Sequence, residues 1–191
     1  MAQQGGNPIE LYEAAAQGFR QTLSGVREDQ MNSSTPCTEW NVQALITHNL
    51  KTQGLAYGGL LENITVNNQE VSDPLPTEGA VAAFDAGVAQ VLELIKAPGF
   101  LDNQIETPFG PMSRVDFLMI PVEDLVIHKW DLAKATNQDT SMDARLAEVA
   151  YEVLAPVVEA YRPAGYYAPE ATVPISASIQ EKLLALSGRQ P

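Results

Sequence analysis

The 191 residues contain two histidines, His48 and His128, and each stands where a metal ion could use it. His128 follows Asp124 by four positions. In a helix that spacing puts the two Cβ atoms roughly 5–6 Å apart, close enough to chelate one ion. Phe117, Pro121, Asp124, His128 and Asp131 fall at steps of four, three, four and three, so they share one helical face. The flanking Leu125, Val126, Ile127 and Trp130 are apolar, which predicts that much of this helix is buried. A carboxylate and an imidazole on a buried face need partners or a metal. Zinc suits the pair, with imidazole nitrogen at ~2.0 Å and carboxylate oxygen at ~2.0–2.2 Å. His48 lies in line with Ala44, Leu45, Thr52 and Leu55 on an earlier helix, so it too is expected to point inward. Facing helices that deliver ligands into a bundle core are one way to build a metal site. His48, Asp124 and His128 would form a two-histidine, one-carboxylate set with open positions, which a catalytic metal requires.

Spacing alone leaves other readings open. A histidine on a helix is usually a capped or core residue, and Asp124 with His128 also matches a plain helical hydrogen-bonded pair. Glu123 and Asp131 are rival carboxylates. Glu123 is rotated off the His128 line, whereas Asp131 lies on it and is read as the partner that orients His128 from behind. Cys37 is either a redox thiol or a small buried anchor ahead of Trp40. Trp40 and Trp130 stand beside the ligand-bearing segments as core or pocket wall. Thr52 and Phe117, on the ligand lines, complete the expected wall. Phe109-Gly110 would approach the pocket mouth. Lys129 and Arg114 are read as solvated. No Ser-His-Asp arrangement and no phosphate-binding glycine loop are present.

The elements that must position these groups are helices. Asn7-Pro8 starts the first, because proline is favoured at the first helical position; Leu11, Ala15, Phe19, Leu23 and Val26 stripe it. Asn32 to Thr38 is a Ser-, Thr- and Pro-rich loop. A second helix spans about Asn41 to Glu62, weakened at its far end by Gly54, Gly58 and Gly59. After punctuation at Ser72 to Pro76, Thr77 is expected to cap a third, striped by Val81, Phe84, Val88, Val91 and Ile95 and stopped by Pro98-Gly99. Gln104 to Thr107 reads as a short strand before the turn Pro108-Phe109-Gly110-Pro111. Ser113 with Asp116 resembles a capping box and opens the helix that carries Asp124, running to about Ala135 with a kink at Pro121. A fifth helix is expected over Asp143 to Tyr161, an irregular stretch over Pro163 to Pro174, and a last helix from Ser178 that Gly188 ends. Four substantial helices with almost no strand predict an all-α four-helix bundle with short extra helices and an irregular C-terminal tail, as one domain over residues 1–191.

Composition narrows the partners. With 24 acidic and 11 basic residues the net charge is −13, which repels phosphate backbones and anionic lipid surfaces and argues against nucleic acid or membrane as partner. The start Met1-Ala-Gln-Gln-Gly-Gly-Asn-Pro8 has neither the basic nor the apolar region of a signal peptide. No apolar run approaches the roughly 20 residues of a membrane span. One cysteine allows no internal disulfide and no cysteine-based zinc finger, and it fits a reducing cytoplasm.

Three ordered motifs go further. Thr35-Pro-Cys-Thr-Glu-Trp-Asn-Val42 followed by Leu45-Ile-Thr-His48 resembles the family opening Pro-Thr-Pro-Cys-x-x-Trp-x-Val-x-x-Leu-x-x-His. Asp124-Leu-Val-Ile-His128-Lys-Trp-Asp-Leu-Ala-Lys-Ala-Thr136 resembles acid-x-x-x-His-x-Trp-Asp-Leu-Ala-x-Ala-Thr. The ending Leu183-Leu-Ala-Leu-Ser-Gly-Arg-Gln-Pro191 is similar to a terminal Leu-Leu-Ala-x-x-Gly-Arg-x-Pro. These are motifs of the actinobacterial maleylpyruvate isomerase-like, mycothiol-dependent proteins, within the broader DinB-like group.

The resemblance implies a DinB-like bundle holding a divalent metal, usually zinc, on His48, Asp124 and His128. The acid is often Glu in the isomerase itself, so the shorter Asp124 implies monodentate binding or a shifted metal. The isomerases carry a further C-terminal domain, which is not expected here. What carries over is use of mycothiol, the low-molecular-weight thiol of actinobacteria, in S-transfer to a small electrophile, by a monomer or homodimer. A zinc-dependent hydrolase of the same fold and a non-catalytic metal- or ligand-binding bundle are the competing expectations.

Overall fold

A computed structural model describes residues 6–62, 74–107 and 110–191. Met1 to Gly5 of the leader reading, Ser72 and Asp73 of the expected break, and Pro108-Phe109 of the expected turn lie outside the described residues.

Four long helices make the bundle. Helix α1 (Pro8–Ser24) begins where the Asn7 side chain accepts from the Ile9 amide, with proline at its first position. Helix α2 (Val42–Leu60) is capped by Asn41, whose side chain accepts from the Ala44 amide at 2.9 Å. Helix α3 (Ala80–Ile95) and helix α4 (Arg114–Thr136) complete the set. In space the order closes into a ring, α1 packing on α4, α4 on α2, α2 on α3 and α3 on α1. Helices α2 and α4 run antiparallel, since His48 meets Asp124 while Gly59 meets Phe117. The middle of the ring is filled by Tyr12, Phe19, Leu45, Ile46, Phe84, Leu118, Leu125 and Ile127, all essentially inaccessible. Fully burying an aliphatic or aromatic side chain of this kind stabilises a fold by about 1.5–3 kcal/mol. The chain is an all-α bundle, as its helical periodicity predicts.

The remaining elements brace α4. Strands β1 (Gln104–Thr107) and β2 (Gly110–Ser113) form a two-stranded antiparallel hairpin with Gln104 opposite Ser113. Helix α5 (Ala144–Leu154) packs on α4, α6 (Val158–Tyr161) is a single turn, and α7 (Ile179–Leu186) packs on α5. Among the described residues no helix is long and apolar enough to cross a membrane.

Several local expectations change. Helix α3 is preceded by Gly79 at φ +90°, not capped by Thr77, whose hydroxyl is used on Glu78 while the chain turns from Pro76 to Gly79. The helix expected to reach Tyr161 stops at Leu154, because Pro156 has no amide proton to offer the preceding turn and its ring crowds it. Helix α4, by contrast, continues through Pro121 as expected of one helix. Arg114 is not solvated: it donates to the Phe100 carbonyl at 3.1 Å and lies 4.1 Å over the Phe100 ring. Lys129 is also engaged, donating to the carbonyls of Asp139 and Ser141 between α4 and α5.

Candidate metal centre

The two helices that carry the candidate ligands are each capped at their first turn. Ahead of α2, the Thr35 hydroxyl donates to the Trp40 carbonyl at 2.9 Å and accepts from the Cys37 amide at 3.1 Å. That tightens the Thr35–Trp40 loop against the start of α2. At the start of α4, Ser113 accepts from the Asp116 amide at 3.0 Å and donates to its carboxylate at 2.7 Å. Gly59 then allows close approach of the two helices. A Cβ there would fall 2.2 Å from the tip of Phe117.

Asp124 stands between the imidazoles. Its Oδ1 lies 3.1 Å from His48 Nε2 and 3.4 Å from His128 Nε2. The two rings are 4.9 Å apart, nearly edge to face at 74°. One donor atom from each of the three residues falls within 4.8 Å of the others. Asp124 Oδ2 is buried and has no hydrogen-bond partner among the described residues. An orphaned buried carboxylate oxygen costs free energy unless a cation or donor meets it. The three residues therefore fit a divalent cation, offering two nitrogens and an unspent oxygen.

Behind this triad lies a second layer. His128 Nδ1 is 2.9 Å from Asp131 Oδ2. With that nitrogen donating a hydrogen bond to the carboxylate, Nε2 is left facing Asp124. Asp131 is wholly buried and is gripped by Arg189, whose Nε and Nη2 donate to Oδ1 at 3.2 Å and Oδ2 at 2.8 Å. The same Nη2 is 3.2 Å from Cys37 Sγ, which lies 3.3 Å from Asp131 Oδ2. Cys37, His128 and Asp131 are also close enough together to suggest a metal set. There, however, the guanidinium already supplies the positive charge. The orphaned oxygen belongs to the Asp124 set, and this is the one that calls for a cation.

The electrostatics follow from burial and these pairings. Burial alone would lift the Asp124 carboxyl, but His48 and His128 outweigh it and hold it well below the carboxylate range. Burial opposes charge on His128, yet Asp124, followed by Asp131 and Cys37, draws its imidazole well above the ordinary value. Without metal, a proton on His128 plays the cation's part. Asp131, which burial would raise, is held at about 2 by His128 and Arg189. Glu123 goes the other way: burial first, and the Asp124 charge next, push it up to about 8. Its two oxygens each lie 3.3 Å from the Tyr167 hydroxyl.

The other expected wall residues separate into two groups. Trp40 packs its ring 4.7 Å from His48 and 5.8 Å from His128. Thr52 Oγ1 is 3.4 Å from His48 Nε2, and Phe117 lies under Gly59 on the ligand face of α4. Trp130 is buried on another side of α4, with Lys134 Nζ 5.1 Å over its ring, and no ring contact links it to either imidazole among the described residues. Sequence reasoning misses Arg189 and the Glu123–Tyr167 pair. The Gly-Arg in the terminal motif is the available signal for the former; a buried acid next to a candidate ligand is the signal for the latter.

Comparison with known proteins bears on the same residues. A family model described as the mycothiol maleylpyruvate isomerase N-terminal domain matches residues 12–133, a stretch that contains Cys37, His48, Asp124, His128 and Asp131 but neither Tyr167 nor Arg189. Two uncharacterized proteins of Mycobacterium tuberculosis, from strains CDC 1551 / Oshkosh and ATCC 25618 / H37Rv, are each 32% identical over 141 residues, or 74% of this chain and 74% of the relative. No solved structure matches the chain significantly.

Proposed function

The chain belongs to the mycothiol maleylpyruvate isomerase N-terminal domain family, and from that premise we propose that it is a zinc-dependent thiol S-transferase, joining mycothiol to a small electrophile in the reducing cytoplasm. The observation that carries the reading is the Asp124 carboxylate, shared by two imidazoles through Oδ1 while Oδ2 stays buried and partnerless. A divalent metal bound there would supply Lewis acidity, enough to keep a thiol deprotonated near neutral pH, where a free thiol of pKa about 8.5 is mostly protonated.

The protein's own residues do the rest. His48, Asp124 and His128 would hold the ion, and Asp131 orients His128 by accepting a hydrogen bond from its Nδ1–H. Trp40 shields His48. On the outer side, Leu55 and Ile120 are 48% and 42% exposed. Leu55 is two turns from His48 and Ile120 one turn from Asp124, so both share the ligand faces of their antiparallel helices. They give the site an apolar rim suited to the carbon skeleton of an electrophile and to excluding water from it.

Mycothiol with monochlorobimane tests this. The thiol sulfur bonds to the halide-bearing carbon, chloride leaves with the bonding electron pair, and the thiol proton passes to buffer. Zinc-loaded protein is expected to speed loss of free thiol, and chelator or Asp124→Ala to return the rate to that of the uncatalysed mixture. An unchanged rate with zinc-loaded wild type would refute the transferase reading and favour a hydrolytic or purely binding role.

A further inference from the structure

We propose that Arg189, close to the chain's last position, is a positioning residue for His128, acting through Asp131 to set how tightly the site holds its metal. The proposal rests on the metal reading above and adds to it a residue outside the segment that the family model matches.

The placement begins with how α7 ends. Gly188, at φ +82°, reverses the backbone; its amide donates to the Ala185 carbonyl at 2.9 Å and the Arg189 amide to the Leu184 carbonyl at 2.8 Å. That pair of bonds is the Schellman termination, which turns the chain sharply away from the helix axis. A side chain at 188 would strike Ala168, with a Cβ 2.8 Å from its carbonyl oxygen, so this turn is reserved for glycine. The turn aims the Arg189 side chain back into the bundle, where it is 9% exposed. Its Nη1 donates to the Ser187 carbonyl at 2.9 Å, bracing the guanidinium plane.

The guanidinium then fixes the carboxylate. Nε on Oδ1 and Nη2 on Oδ2 form a two-pronged grip that sets the plane of Asp131 as well as its position. Oδ2, so held, is the atom that meets His128 Nδ1 at 2.9 Å. A ring anchored at Nδ1 can present Nε2 in only one direction, toward Asp124. Nη2 also touches Cys37 Sγ in the loop that leads to Trp40. One residue thus ties the tail, α4 and the wall of the site together. Outer partners of metal-binding histidines typically govern affinity by about 10–100-fold.

Zinc affinity, read by competition with a chromogenic chelator on the full chain, tests it. Arg189→Ala and Asp131→Asn are each expected to weaken zinc by about tenfold or more, with helical content retained. The double variant is expected to lose little beyond either single one, because both act on one contact. Arg189→Lys, which keeps the charge but not the fork, is expected to fall between Arg189→Ala and wild type, and it keeps the test open if Arg189→Ala fails to fold. Wild-type affinity in a folded Arg189 variant, or losses that add in the double variant, would overturn the role of Arg189. Failure of wild type itself to bind zinc would overturn the metal reading and this proposal with it.

Discussion

His48 Nε2 lies 3.1 Å from Asp124 Oδ1, although 76 residues separate the two in the chain. The contact joins α2 to α4, and its energetics depend on which cation fills the triad. In the metal-free protein that cation is the proton on His128; with metal bound, His128 must give the proton up. Stability against pH therefore distinguishes the two states.

For the chelated protein the sign is set by two opposite shifts. The folded-state value of His128 lies well above its ordinary 6.5, so its stabilisation is complete below about pH 6.5 and is lost as pH rises through the folded value. Asp124 is depressed, so its contribution is complete above about pH 4 and is lost as pH falls toward the folded value. Taken alone, these two groups make the metal-free protein most stable between about pH 4 and 6.5, with their stabilisation falling as pH rises above that. Zinc-loaded protein is expected to lose much less over the alkaline range. Thermal melts with and without chelator at pH 5.5 and 8.5 decide it, and equal slopes would show that no metal replaces the His128 proton.

Glu123 adds a separate loss that begins at lower pH. Its carboxyl, pushed up to about 8, keeps its proton in the fold where the unfolded chain would release it, so its stabilisation is present below about pH 4.5 and is lost as pH rises through 8. Glu123→Gln keeps the shape and an acceptor for the Tyr167 hydroxyl while removing the ionisation. In chelated protein the variant is expected to gain on wild type by a few kcal/mol between pH 4.5 and 8, since the wild-type fold loses on the order of 1.4 kcal/mol for each pH unit crossed there. Denaturant melts across that range measure it; parallel wild-type and variant curves would show that burial of this carboxyl costs nothing.

The helix caps should act on stability and leave the metal chemistry in place. Asn41→Ala and Ser113→Ala each leave an amide at the first turn of a ligand-bearing helix without its side-chain acceptor. Each is expected to cost about 1 kcal/mol, which lowers the melting temperature by roughly 2–4 °C for a chain of this size. Zinc stoichiometry should stay at the wild-type value in both. A variant that melted normally but lost zinc would mean the cap positions the ligands directly.

Much of this arrangement is legible in the residues alone, for reasons that differ from part to part. The closeness of Asp124 and His128 follows from helix geometry once α4 is recognised, and Ser113 and the apolar flank mark α4 plainly. His48 needs the bundle as well, since only packing brings α2 across to α4. Where local signals compete, sequence reasoning errs: Thr77 and Gly79 both suit a helix start, and Pro156 breaks a periodic stretch that otherwise reads as continuous. Arg189 is marked only by the terminal Gly-Arg, and its role is hidden for another reason. Its contacts with Asp131 and Cys37 span 58 and 152 residues, and no period or spacing encodes a contact of that range. Glu123 is rotated off the His128 line, and that rotation is what carries it to Tyr167.

Calorimetric titration of zinc into chelator-stripped protein probes the His48–Asp124–His128 triad itself. One zinc per chain is expected for wild type, with a proton released near neutral pH as His128 is discharged, and no binding in folded His48→Ala, Asp124→Ala or His128→Ala. Stoichiometric binding that survives Asp124→Ala, or a folded wild-type chain that takes up no zinc, would contradict the triad as the metal site.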